Sequence, residues 1–466
     1  MHHRTRAFLH VVGASGAVVA LTVAAAPFAE ANATSNYLVS SVDNRSDPSA
    51  IHCFDAATGF SGVCLYASHD LGSGTAPDGG SYPMDGTFLY TIADGQDPTV
   101  QSNWVARGQV LSEGNQYSSW ANGNKHLWAP EAAQTYDGTT YLYVPDTTTA
   151  SDRYSSVIGL STAPAPWGPF TNNPSHKFLT GTTFNVKNTS GQTVSSKYAS
   201  DPSPMQDMSG QRWLVWATGD GGNCGGLAIG KLTSDLTDIQ AGTQHMINIT
   251  GWPGNLPNCS KVQGVTHPYL EGATMYWSAP WGGTPGTFTL EFAAQTTAGK
   301  EAVAYATGDD ADGTFTYKGT LMAESSTEYT DQGTIVDNPA FNDGLHKLFI
   351  YHDGPSGAKN RKVHAECLVP NGSLSKMTRS PGNADTANNF SNCAAPPPTN
   401  CPSYVANHFM GSSAYGAQWA TDSNLSRAYW TGNKSAMCQY YGLIHTSAGG
   451  NTSSSYGYWQ SGPSQI

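Results

Sequence analysis

The sequence predicts an all-β chain, a five-bladed β-propeller carrying a small C-terminal extension rich in Ser, Gly, Tyr and Trp. Three observations lead there. The string Ser-Asp-Pro-Ser occurs twice, at Ser46-Asp47-Pro48-Ser49 and at Ser200-Asp201-Pro202-Ser203, each time ahead of an aromatic or branched strand. A closed ring of sheets is the simplest way to bring two such distant aspartates together. Aromatic strands, each preceded by a Gly-containing turn, recur at intervals of about 60–80 residues, the scale of a four-stranded blade. No amphipathic helix of three or more turns can be read anywhere in the chain.

Taken in order, the chain opens with a basic start (Arg4, Arg6), a short apolar run over 11–26 and a small-x-small site at Ala31-Asn32-Ala33. That is the pattern of a secretory leader over residues 1–33, too short and wrongly flanked for a membrane span. A secreted, extracellular protein is therefore expected. Strands are predicted at 62–68, 87–92, 139–144, 213–216, 274–277 and 347–351, each rich in aromatic or β-branched residues and bounded by turn residues. Proline disfavours the helical region for the residue before it, so Asp201-Pro202 is expected to hold the aspartate in extended backbone. Five units fit within residues 34–392. The run Cys393-Ala-Ala-Pro-Pro-Pro-Thr-Asn-Cys401-Pro402 reads as a stiff linker, 393–402, before an extension at 403–466 whose role is open.

The net charge is −12, with only 22 Lys and Arg. This argues against a nucleic-acid partner, which needs a basic footprint. The eight cysteines are expected to form disulfides in an exported chain. Sequence alone does not fix their pairing. Nearest neighbours would give Cys53–Cys64, Cys224–Cys259, Cys367–Cys393 and Cys401–Cys438. None has zinc-like spacing, so no thiolate metal site is expected.

Several motifs fall in one order. Asp47-Pro48 is followed by Cys64-Leu65-Tyr66-Ala67-Ser68-His69-Asp70. Then come Trp128-Ala129-Pro130-Glu131 with Tyr141-Leu142-Tyr143, Asp201-Pro202, His267-Pro268-Tyr269-Leu270 with Tyr276-Trp277-Ser278, and finally Tyr351-His352-Asp353-Gly354 with Arg361 and His364. In this order the chain resembles glycoside hydrolase family 43 over residues 36–373. The resemblance implies a glycosidase that hydrolyses arabinose- or xylose-containing plant polysaccharide with inversion. It implies Asp47 as general base and Asp201 as the residue that tunes and orients the acid. Trp128, His352 and Arg361 would contact substrate. No cofactor is required, although a calcium ion near the axis is compatible with the family, and a monomer with a polysaccharide or oligosaccharide partner is expected, without nucleic acid or membrane.

The acid is where the sequence departs. The family carries Glu shortly before the fourth-blade proline, in strings such as Glu-Gly-Pro. Alignment on Pro268 puts Thr266 there, and alignment on Val262-Gln263-Gly264 puts Gln263 there. Neither donates a carboxylic proton, a function worth about 10²–10⁴ in rate. Three substitutes remain: Glu271, expected in the turn before the strand, Glu291 on the following strand, and Glu131. Without any of them the chain would be a carbohydrate-binding propeller that has lost its acid. Glu366-Cys367 is read as strand plus disulfide. The Trp and Tyr residues of the extension could stack on sugars or pack on the propeller.

Overall fold

The computed structural model describes residues 37–39, 44–71, 83–112, 126–147, 156–177, 184–187, 193–196, 198–207, 210–219, 226–251, 270–278, 287–295, 301–322, 332–340, 347–353 and 361–368. The leader at 1–33, the linker, the extension, Gln263 and Thr266 lie outside them. So does at least one member of each expected disulfide except Cys53–Cys64.

Among the described residues the chain is strands and turns, with one 3₁₀ turn at Gln101–Asn103. Five sheets form. The first blade holds β2 (Arg45–Asp55), β3 (Phe60–Asp70), β4 (Met84–Ala93) and β5 (Val105–Ser112). The second holds β6 (Glu131–Gln134), β7 (Thr140–Thr147), β8 (Ser156–Ala163) and β9 (Thr171–Lys177). The third runs inward from β11 (Thr193–Ser196) through β10 (Phe184–Lys187), β15 (His245–Met246), β14 (Gly226–Lys231) and β13 (Arg212–Gly219) to β12 (Tyr198–Gln206). The fourth runs from β16 (Asn248–Thr250) through β20 (Thr314–Met322), β19 (Glu301–Gly308) and β18 (Thr287–Gln295) to β17 (Leu270–Ser278). The fifth joins β21 (Gly333–Asp337), β22 (Lys347–Asp353) and β23 (Lys362–Leu368) to β1 (Tyr37–Leu38). Here Tyr37 pairs with Ala365 and Leu38 with His364, so the earliest strand completes the last blade and closes the ring.

Five apolar clusters match the five junctions between blades. One joins Ala50, Val63 and Leu65 to Val336, Leu348 and Ile350 across the closure. Another joins Ile51, Cys53 and Tyr66 to Leu142 and Val144. The others lie between blades two and three, three and four, and four and five. Alternation explains this. Successive strand residues point to opposite faces, and both faces of every blade meet a neighbour. The inner strands are therefore apolar on both sides, as in Arg212–Gly219, where Trp213 to Ala217 are all buried. Each fully buried Leu, Ile or Phe contributes about 1.5–3 kcal/mol. The Cys53–Cys64 bond crosslinks β2 to β3 as expected, with Cα atoms 5.8 Å apart.

Candidate active site

The two Ser-Asp-Pro-Ser strings lie near the N-terminal ends of the inner strands β2 and β12 and fold alike. In each, the ladder to the next strand skips two residues, between Ser46 and Ser49 and between Ser200 and Ser203. The skipped pair is Asp-Pro, whose proline has no N–H to contribute to a ladder. Both aspartates have positive φ, +46° at Asp47 and +47° at Asp201. This corrects the expected extended backbone. The bulge requires a left-handed residue, and aspartate, with its short polar side chain, tolerates that better than most. The first serine of each string donates to the aspartate that follows, Ser46 Oγ to Asp47 Oδ2 at 3.3 Å and Ser200 Oγ to Asp201 Oδ1 at 2.9 Å. The last serine accepts a backbone N–H from a following blade. Ala132 donates to Ser49 Oγ at 3.2 Å and Met275 to Ser203 Oγ at 3.3 Å.

A third bulge of the same kind lies in β17. The ladder to β18 skips two residues between Glu271 and Thr274, and Gly272 has φ +55°. Gly272 thus stands where Asp47 and Asp201 stand, Ala273 where the two prolines stand, and Glu271 where Ser46 and Ser200 stand. Glu271 is the second residue of a strand, not part of the turn before it, because the bulge lets pairing continue past Gly272 to Leu270 and Glu271. A Cβ at Gly272 would lie 2.6 Å from Gln332 Cγ, so both the φ and the close approach call for glycine there. The Gly272 N–H donates to Asp201 Oδ2 at 2.9 Å. Glu271, half-buried, is therefore one peptide bond from the group that anchors Asp201.

Asp47 is held from below by the fifth blade. Arg361 forks onto Asp70, Nε to Oδ2 at 2.8 Å and Nη2 to Oδ1 at 2.7 Å, and its Nη1 reaches Asp47 Oδ1 at 3.2 Å. Ser46 Oγ also donates to Asp70 Oδ1. The Asp47 N–H donates to His352 Nδ1 at 3.0 Å, and His352 Nε2 lies 3.2 Å from Arg361 Nη1. His352 and Arg361 are only 0% and 2% exposed, and both bear on Asp47. Asp70 was not among the sequence candidates as a site residue. Its signal was the Ser68-His69-Asp70 ending of the first-blade motif.

Burial pushes the Asp47 carboxyl above its usual 3.8. The Arg361 cation opposes that rise, and Asp70 adds to it. Asp201 has no cation in its balance. Burial and the charge of Asp47 raise it to about 6 against the Gly272 and Ser200 hydrogen bonds. Two further carboxyls are buried, and one of them, Glu131, feels the charge of Asp201. Glu131 opens β6 and is pushed well above the ordinary range by burial, and more mildly by Glu291 and Asp201. Glu291 on β18 is fully buried, with no hydrogen-bond partner on either oxygen among the described residues, and burial raises it well above the ordinary range. Trp128 is half-buried, its ring 4.5 Å from that of His126. No group of three or more His, Cys, Asp or Glu among the described residues is arranged to hold a metal ion, so the axial calcium finds no donor set there.

A five-bladed propeller with carboxyl groups gathered where its inner strands begin is an architecture suited to carboxylate-driven chemistry on a polar substrate. The sequence model described as Glycosyl hydrolases family 43 matches residues 101–294. Probable arabinan endo-1,5-alpha-L-arabinosidase C of Aspergillus flavus is 32% identical over 88 residues, 17% of this chain and 26% of that protein. The same protein of Aspergillus oryzae matches equally. The chain thus aligns with about a quarter of these curated relatives. In fold it is similar to CoXyl43, a GH43 beta-xylosidase/alpha-arabinofuranosidase from a compost microbial metagenome, solved with xylotriose in a calcium-free form. That likeness has a TM-score of 0.53 and 21% identity, covering 74% of this chain and 97% of that one. A GH43_1 enzyme from Xanthomonas citri is similar at TM-score 0.53 and 22% identity, covering 75% and 95%. The resemblance to glycoside hydrolase family 43 therefore holds in sequence over 101–294 and in fold over about three quarters of the chain.

Proposed function

We propose that this protein is a secreted glycoside hydrolase that cleaves arabinose- or xylose-containing polysaccharide with inversion, using Asp47 as base, Glu271 as acid and Asp201 to tune the acid. The observation that carries the reading is the third bulge, which sets Glu271 beside the residue that anchors Asp201. Glu271-Gly272-Ala273 then reads as the family's Glu-Gly-Pro with alanine for proline. The alternative of a binding propeller without an acid rests on Gln263 and Thr266, and the register of β17 supports looking for the acid at Glu271 instead.

The chemistry needs only water and the chain's own carboxyls. Asp47, ionised, takes a proton from a water that attacks the anomeric carbon. Glu271, protonated, gives its proton to the departing glycosidic oxygen on the other face. Inverting pairs stand about 6.5–9.5 Å apart to leave room for that water. Arg361 steadies the ionised form of Asp47, and His352 fixes its backbone. Asp201, anchored by the Gly272 N–H, would orient the segment that carries Glu271. Trp128 offers a ring face to a sugar. The leader-like pattern of residues 1–33 supports export.

The test is to follow the anomer first released from arabinan and arabinoxylan by nuclear magnetic resonance, in the parent and in Asp47→Asn and Glu271→Gln. Inverted product, lost in Asp47→Asn and cut about 10²–10⁴-fold in Glu271→Gln, is expected. Glu271→Gln should lose less on aryl glycosides, whose leaving groups need no proton. A Glu271→Gln enzyme with full activity on polysaccharide would reject the acid assignment.

A further inference from the structure

The inner strands run away from the carboxyl site, so the β2–β3, β4–β5, β6–β7 and β8–β9 connections lie at the opposite end of the propeller. That end of blades one and two has an unusual surface. Val100, Val105 and Tyr136, the exposed large apolar residues among those described, all belong to these connections or their edges. At the same end opens a cleft of about 860 Å³, lined by residues that include Phe60, Ser61, Asp94, Arg107 and Trp167. Its size lies in the range of ligand sites, about 300–1,000 Å³.

The groups in the cleft are those that recognise a sugar. Phe60 and Trp167 meet edge to face, ring centres 5.7 Å apart. The Arg107 guanidinium lies 5.0 Å from the Trp167 ring and 5.7 Å from Phe60. Arg107 Nε donates to Thr91 Oγ1 at 2.9 Å, which fixes the plane while leaving the terminal N–H groups to a ligand. Asp94 is held as firmly, accepting from Ser61 Oγ at 2.6 Å and sharing a 2.7 Å hydrogen bond with His52 Nε2. Asp94 is thus engaged by Ser61 and His52, and the exposed Arg107 guanidinium beside the aromatic rings is the donor that faces the cleft. A neutral polyol suits it, with hydroxyls on Arg107 and apolar C–H faces on the rings. A polyanion would meet a chain of net charge −12.

We propose that this cleft is a second, non-catalytic glycan site that holds a neutral stretch of polysaccharide at the end of the propeller remote from Asp47. The choice of a pentose-rich glycan rests on the function proposed above. The probes are arabinan and arabinoxylan cast into native gels, run with the parent, Arg107→Ala and Trp167→Ala, with melting temperatures recorded. Trp167 packs partly on the core between blades one and two, so the exposed Arg107 provides the variant least tied to folding. The parent should be retarded by at least one polysaccharide, and each variant about five- to tenfold less. Hydrolysis of aryl arabinofuranosides and xylosides should be unchanged. Equal retardation of parent and both variants would overturn the proposal and put glycan binding elsewhere on the chain. An unretarded parent would overturn it as well. Retardation that depends on Arg107 in a protein without hydrolytic activity would keep this site and reject the catalytic reading instead.

Discussion

The two Ser-Asp-Pro-Ser strings share their four letters, their bulge, their left-handed aspartate and both serine hydrogen bonds. Their charges differ. Asp47 meets a guanidinium from the preceding blade in the ring, and Asp201 meets only a peptide N–H from the following one. A repeated local motif thus builds the same backbone twice, and the neighbouring blades give each copy a different charge environment. Burial raises both carboxyls, but at Asp47 the Arg361 cation opposes the rise. Asp201, with no cation beside it among the described residues, is pushed to about 6 by burial and by the charge of Asp47.

The largest effect expected from breaking this asymmetry is on rate. Asp47→Asn should lower turnover by about 10²–10⁴ while the melting temperature stays close to the parent's, since Asn is nearly isosteric. The same change at Asp201 should cost less rate, because Asp201 is proposed to orient the acid and not to exchange a proton itself. Equal losses in both variants would erase the distinction between the copies.

Removing the cation comes next. Arg361→Met leaves Asp47 and Asp70 buried without their partner, a type of change that costs about 3–5 kcal/mol. Urea unfolding should show that loss, and Asp47→Asn combined with Arg361→Met should recover part of it.

Stability against pH separates the copies further. The folded value of Asp201 is about 6 against a usual 3.8, so its contribution is fully present below about 3.8 and is lost as pH rises through about 6. The difference is of order 3 kcal/mol. Asp201→Asn should therefore match the parent at pH 4 and exceed it in melting temperature at pH 8. A variant less stable than the parent at pH 8 would mean that burial does not dominate this carboxyl.

The smallest effect should be shared. Ser49→Ala and Ser203→Ala each leave a buried N–H, of Ala132 or Met275, without its acceptor, at about 1–3 kcal/mol. Similar losses in chemical denaturation would support equivalent backbones, and a difference of more than about 1 kcal/mol would show that the copies diverge in structure as well as charge.

The sequence by itself determined the ring and the two Ser-Asp-Pro-Ser strings at its inner strands, but not the bulges those strings form. Aromatic strands at blade spacing, the absence of helical periodicity and the paired Ser-Asp-Pro-Ser strings depend on short-range patterns, which survive in one dimension. It also supported the neighbouring pair Cys53 and Cys64, since a hairpin makes near residues meet. Only the tertiary structure decided the rest. Glu271 looked like a turn residue because its register is set by Ala293 and Glu291 on β18, not by the letters around it. Its bulge was hidden because alanine and glycine replace the proline and aspartate that mark the other two. That the closing blade sets His352 and Arg361 against Asp47 was likewise not legible in the letters. The raised carboxyls of Asp201, Glu131 and Glu291 were beyond sequence for a plain reason. Desolvation is a property of everything that packs around a group, and here that packing comes from other blades of the ring.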